Sequence, residues 1–134
     1  MPVDIYPFGG PVLIEATVKI DGLIHVCSFT AIRGEVEIGD GTQISHNTTI
    51  ISNSHVMEVG APIVDQLVFH KPIKIGRDVL IGAGVVILGG CVIEDGAVIG
   101  AGSVVPEDTH IGADQIWCGV PAKFQKRRSC TQVA

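Results

Sequence analysis

The stretch Ile75-Gly76-Arg77-Asp78-Val79-Leu80-Ile81-Gly82-Ala83-Gly84-Val85-Val86-Ile87 brings a large aliphatic back at every sixth residue. On an α-helix a step of six turns a side chain by about 240°, so these aliphatics would scatter around the axis and share no face. On extended backbone, positions i, i+4 and i+6 point to the same side, so the same residues stack inward together. The period extends in both directions. Backward it reappears at Ile14, Ile20, Val26, Ile32, Ile38, Ile44 and Ile50, and forward it continues through Ile93, Ile99, Val105 and Ile111. Four places after each aliphatic but the last, Ile111, comes a small or β-branched residue, as at Val18, Thr30, Thr42, Thr48, Cys91 and Ser103. The second place is Gly at Gly39, Gly76, Gly82, Gly100 and Gly112, which predicts tight corners there. Short strands joined by such corners form a solenoid, stable because each coil buries the apolar face of the next.

Composition agrees. The chain has 134 residues, one domain's worth, with 46% hydrophobic and 17% charged residues, which excludes a disordered protein. Aromatics are only 4%, so Ile, Val and Ala must fill the core, and the β-branched pair favours strands. Net charge is -5, with no basic stripe interleaved with aromatics, so nucleic acid is not an expected partner. Pro-Val-Asp follows Met1 and Gly, Asp or Glu breaks every later apolar stretch, so neither a signal peptide nor a membrane-spanning helix is expected. Cys27, Cys91, Cys118 and Cys130 follow no metal-binding or disulfide spacing, which fits a reducing cytoplasm. We expect one domain over 1-134, with hexads at 14-55 and 75-116, an inserted loop at 56-74 and a C-terminal tail at 117-134. The fourteen hexads, at three per coil, give roughly four and two-thirds coils.

The hexads over 75-105, together with Gly119-Val120-Pro121-Ala122-Lys123, resemble the hexapeptide-repeat acyltransferases, in particular the sugar O- and N-acetyltransferase branch. The resemblance spans about residues 14 to 128. It implies an all-β fold, a left-handed parallel β-helix with three hexads per triangular coil, a homotrimer with sites between subunits, and acetyl-CoA as co-substrate. The left hand comes from the resemblance alone, since parallel crossovers are generally right-handed.

Between the two arrays lies a long interruption that follows Asn53-Ser54-His55 directly. Loops of that length inside compact domains are uncommon and often functional. In the resembling family a catalytic histidine and an extended loop occur in this order, which points to His55 as general base. The chemistry suits a lone imidazole. A thioester is already activated, so the acceptor only has to lose a proton, which a group of unperturbed pKa near 6.5 can take. Asn53 and His70 are expected to border the acceptor or acyl pocket. His25, 30 residues before His55, stands where many sugar acetyltransferases carry an asparagine that shapes this pocket. His46 and His110 are read as structural or exposed. Arg33-Gly34-Glu35 faintly resembles a segment of the gamma-class carbonic anhydrases, but the histidine spacing does not follow that family, and no metal is expected.

For coenzyme A, the resemblance points to Gly82, Ala83, Gly84, Ala101 and Gly102 along the pantetheine groove, and to Lys123 and Lys126 at the adenosine 3′-phosphate. Leu80 replaces the Trp of many members. Only about 13 residues precede the first hexad, where maltose and galactoside acetyltransferases place a helical acceptor-binding segment. The acceptor pocket is therefore expected to be built elsewhere, and a nucleotide-linked sugar is a better expectation than a free disaccharide. The alternative is a non-catalytic solenoid scaffold, which hexads alone would also specify.

Overall fold

The structure, a computed structural model, describes residues 3-6 and 10-130; residues 131-134 of the expected tail lie outside the described residues. In chain order the strands are β1 (Val3–Tyr6), β2 (Leu13–Ile14), β3 (Lys19–Ile20), β4 (Ile24–Cys27), β5 (Ala31–Arg33) and β6 (Val36–Ile38). Next come β7 (Gln43–Ile44), β8 (Thr49–Ile51), β9 (Asn53–His55), β10 (Val68–His70), β11 (Ile73–Ile75) and β12 (Leu80–Ile81). The rest are β13 (Val86–Ile87), β14 (Val92–Ile93), β15 (Val98–Ile99), β16 (Val104–Val105), β17 (His110–Ile111), β18 (Gln115–Gly119) and β19 (Ala122–Arg127).

All but β9 and β10 form three faces of a left-handed parallel β-helix of hexapeptide repeats. The first face runs β1-β4-β7-β12-β15-β18-β19, the second β2-β5-β8-β13-β16 and the third β3-β6-β11-β14-β17. On every face an aliphatic sits on the aliphatic of the coil above. Val26, Ile44, Ile81 and Ile99 stack on the first face, and Ile32, Ile50, Ile87 and Val105 on the second. On the third, Ile20, Ile38, Ile75, Ile93 and Ile111 do the same. All but Ile20 of these are buried, each contributing roughly 1.5–3 kcal/mol.

The fifth coil is complete because Trp117 takes the next hexad place, pairs with Ile99 and packs against the core. The hexad count stopped one strand short because an aromatic breaks the aliphatic pattern. Likewise the ladder resumes at Ile73, which pairs with Val36, ahead of the hexad that begins at Ile75.

The corners differ from the expectation in one respect. The glycines in second place do not supply the turn. A Cβ on Gly39 would lie 2.7 Å from the Gly76 carbonyl carbon, and one on Gly82 2.6 Å from the Ala101 nitrogen, so close approach of the next coil excludes a side chain there. The left-handed turn falls two places later, at Gly84 and Gly102 but also at Asn47, Asp78, Asp108 and Asp114. Inward threonines satisfy corner carbonyls: Thr42 Oγ1 donates to Gly76 O at 2.9 Å and Thr48 Oγ1 to Gly82 O at 3.1 Å. Among the described residues, no helix is long and apolar enough to cross a membrane.

Truncating one stacked aliphatic should leave a cavity lined by its upper and lower neighbours. Ile81→Ala is expected to lower unfolding free energy by about 2–5 kcal/mol in urea titration, whereas Leu80→Ala, on the outer side of the same strand, should cost far less.

Candidate active site

The interruption is an ordered hairpin. Strand β9 pairs antiparallel with β10, matching Asn53 with His70, Ser54 with Phe69 and His55 with Val68. Beyond this stem, Val56 N donates to Leu67 O at 2.9 Å, and a short 3-10 turn covers Ile63–Asp65. Gln66 ties the tip together: its Nε2 donates to Glu58 O and Ala61 O, both at 2.9 Å, while its Oε1 accepts from Glu58 N at 2.8 Å. Strand alternation then sorts the stem. Ser54 turns inward and is buried, while His55 is exposed and Asn53 half-buried.

His70 binds the end of the stem to the coil. Its Nδ1 is hydrogen-bonded to Ser52 Oγ at 2.9 Å, and the same oxygen accepts the Glu35 amide at 2.8 Å. Above this corner, Glu15 accepts Arg33 Nε and the Gly34 amide, each at 2.8 Å. The Arg33 hydrogen bond holds the Glu15 carboxyl below its usual range, with the Gly34 amide helping and His70 adding a smaller effect.

His25 lies elsewhere, on β4 of the first face, paired with Gln43. With Cys27, Gln43, Ile44 and Ser45 it lines a shallow cavity of about 290 Å³. One chain thus gathers Asn53, His55 and His70 on the stem and leaves His25 on another face.

The expected coenzyme A residues share the corner between the first and second faces. Gly102 N donates to Ala83 O at 2.8 Å, and Gly84 N donates to His46 O at 2.9 Å. His46, exposed at that same corner one coil above, was not expected among them, because only the coil register reveals the column. Downward the column meets the turn between β18 and β19, where Gly119 N donates to Ser103 Oγ at 3.1 Å. Lys123 and Lys126 are exposed on β19. Arg128, just past β19, reaches the corner between the third and first faces, where it donates to Gly96 O at 3.0 Å and pairs with Asp78 at 3.4 Å and Asp114 at 3.8 Å.

The larger concavities, about 610 and 630 Å³, lie on the third face around Lys19, Glu37 and Lys74, and none of the expected site residues lines them. Among the described residues, no three His, Cys, Asp or Glu side chains converge as a metal site.

Residues 72–107 match the model for bacterial transferase hexapeptide (six repeats). Over those residues the chain is similar to the bacterial hexapeptide transferases. Its structure is similar to that of a maltose O-acetyltransferase from Clostridium difficile 630, with a TM-score of 0.83 and 25% identity over 95% of this chain and 67% of that one. A galactoside acetyltransferase in complex with coenzyme A gives 0.77 and 28% identity over 93% of this chain and 64% of that one. A variant of an N-acyltransferase from Bacillus cereus, in complex with dTDP and coenzyme A, gives 0.65 and 25% identity over 96% and 79%. A comparison with curated protein sequences finds no match. The glycine corner and the hairpin that interrupts the repeats hold the expected site residues other than His25, Lys123 and Lys126.

The Glu15 contact gives a test of the corner above the stem. A carboxylate whose folded pKa is depressed contributes stability that is present above its unfolded value and is lost as pH falls through the folded one. The melting-temperature deficit of Arg33→Gln relative to wild type should therefore be present at neutral pH and shrink as the solution is acidified below the ordinary carboxylate range.

Proposed function

We propose that this chain is an acyl-CoA-dependent acetyltransferase that moves an acetyl group to a hydroxyl or amine of a sugar or nucleotide-linked sugar, with His55 as general base. One observation carries the reading: His55 is exposed on the first strand of an ordered stem whose neighbouring residue, Ser54, is buried, so the imidazole is free for chemistry while its backbone is held. Three similar structures are acetyl- or acyltransferases, two of them with coenzyme A and one also with dTDP, which favours a nucleotide-linked acceptor.

The imidazole takes the proton from the acceptor hydroxyl or amine as that atom attacks the thioester carbonyl carbon. The tetrahedral intermediate collapses by expelling the coenzyme A thiolate, which receives the proton back from the imidazolium. Pantetheine runs along Gly82, Ala83, Gly84, Ala101 and Gly102, where the missing side chains keep the wall low, and Lys123 and Lys126 meet the 3′-phosphate. Asn53 and His70 border the pocket. Cofactors beyond acetyl-CoA, and metals, have no part in this scheme. The protein acts in the cytoplasm as one domain.

His25 lies on the first face and His55 on the stem that leaves the corner between the second and third faces, so His25 joins the pocket only when a neighbouring copy brings its first face to this stem. The outward rows favour such packing. The second face presents Leu13, Ala31, Thr49, Val86 and Val104, all uncharged, whereas the third presents Lys19, Glu37, Lys74, Val92 and His110, most of them charged or polar. A homotrimer with sites between subunits satisfies both features.

His55→Ala should lower kcat for acetyl transfer by about 10² to 10⁴-fold while the thermal shift produced by coenzyme A persists. Turnover within threefold of wild type would remove His55 as the base. Separately, light scattering after size exclusion should report the mass of three chains at micromolar concentration, and a monomer there would dismantle the shared site.

A further inference from the structure

Both coils that flank the stem give up their side chains at its foot. Above it, a Cβ on Gly34 would lie 2.1 Å from Ser52 Oγ and 2.9 Å from His70 Nδ1. Below it, the corner of the fourth coil is Gly89-Gly90. A Cβ on Gly89 would lie 2.9 Å from both Ser52 O and Lys71 Cβ, and one on Gly90 2.1 Å from Asp108 Oδ1.

Past this bare corner, two acidic side chains of the fifth coil reach the stem. Ser54 Oγ donates to Glu107 Oε1 at 2.7 Å, and Lys71 Nζ donates to Glu107 Oε2 at 3.4 Å and to Asp108 Oδ2 at 2.5 Å. Ser54 immediately precedes His55, and Lys71 immediately follows His70, so one carboxylate grips both sides of the stem near its foot. The grip matters because β9 has no ladder partner but β10, and an isolated two-stranded ribbon is marginal in water. A hydroxyl held by a carboxylate is also a stronger anchor than a neutral pair. Ser54 is only 8% exposed, so losing Glu107 would leave a buried hydroxyl to be satisfied by movement of the strand.

We propose that Glu107 is a positioning residue that sets the placement of His55 through the Ser54 hydroxyl, reaching across the Gly89-Gly90 corner from two coils away. Its consequence for turnover rests on the acetyltransferase reading; the placement itself does not. Glu107 touches no reacting group.

The test compares Glu107→Ala, Glu107→Gln and Ser54→Ala in the full-length protein by NMR of the histidine ring resonances. Glu107→Ala and Ser54→Ala should each shift His55 and leave His25, on the first face, unmoved. Glu107→Gln, whose amide oxygen still accepts the Ser54 hydroxyl, should stay close to wild type, and adding Glu107→Ala to Ser54→Ala should move His55 no further. Should Glu107→Ala fail to fold, Ser54→Ala removes the same bond and keeps the Lys71 pairs, and it must still shift His55. An unmoved His55 ring in Ser54→Ala, or a Gln variant as perturbed as the Ala variant, overturns the proposal. With acetyl-CoA as substrate, kcat should fall roughly tenfold or more in Glu107→Ala while KM for acetyl-CoA stays within about twofold. A wild-type protein that never turns over acetyl-CoA defeats the acetyltransferase reading, and the ring spectra then still decide the anchoring.

Discussion

Each inward aliphatic lies on the one a full coil earlier, and the backbone ladder between coils leaves no freedom to slide. A slip of one residue would turn every Ile of that strand toward water and every charged residue inward. Ile32 over Ile50 and Ile38 over Ile75 are therefore register marks as much as core contacts. Because register is shared by all three faces, the outward side chains are ordered too, in rows such as Lys19, Glu37 and Lys74. The corners inherit the same repetition. That is why Ala83 and Ala101 form a column, and why Arg128 finds both Asp78 and Asp114 within reach.

A corner is also where this architecture can be opened without losing the stack. Strands must keep their neighbours, but a corner only has to return the chain in register. The excursion leaves after Ser52 and re-enters at Lys71, whose amide donates to Ser52 O at 2.8 Å, so the coil closes across the gap as though nothing had been inserted. Ile50 and Ile87 remain paired through β8 and β13. The cost is that Asn53, Ser54 and His55 lie outside the parallel ladder, and their placement falls to side chains: Ser52 with His70, and Ser54 and Lys71 with the acidic pair below.

The repeats were legible in the sequence because the information is local and reiterated: each hexad states the same requirement, and Thr42 or Thr48 in the small position satisfies it with a hydroxyl to spare. Trp117 escaped because a single aromatic in an aliphatic place carries no periodic signal, although the coil register demands a residue there. The turn position was misread for a related reason. Glycine is favoured both by left-handed backbone and by close approach of another chain, and the sequence alone does not say which of the two acts at Gly82. At the site, the stem histidines could be picked out by their place beside the interruption. Glu107 could not, because it meets Ser54 across an insertion that destroys any fixed spacing. Its one trace is the doublet Gly89-Gly90, legible only once the stacking order of the corners is known.

This division of labour bears on what the excursion contributes. In the proposed reaction, direct transfer from a thioester would need little from the protein beyond a base, a donor for the oxyanion and a fixed distance between two substrates. The stacked coils supply a rigid wall, but a wall repeated every coil has no unique position along its length. The hairpin breaks that equivalence at one level of the stack, the third coil, and there it places the exposed His55 imidazole next to the buried Ser54. Uniqueness thus comes from the one segment that ignores the hexad period, while precision is borrowed from the segments that obey it. The Ser54, Glu107 and Lys71 contacts are where the second is handed to the first.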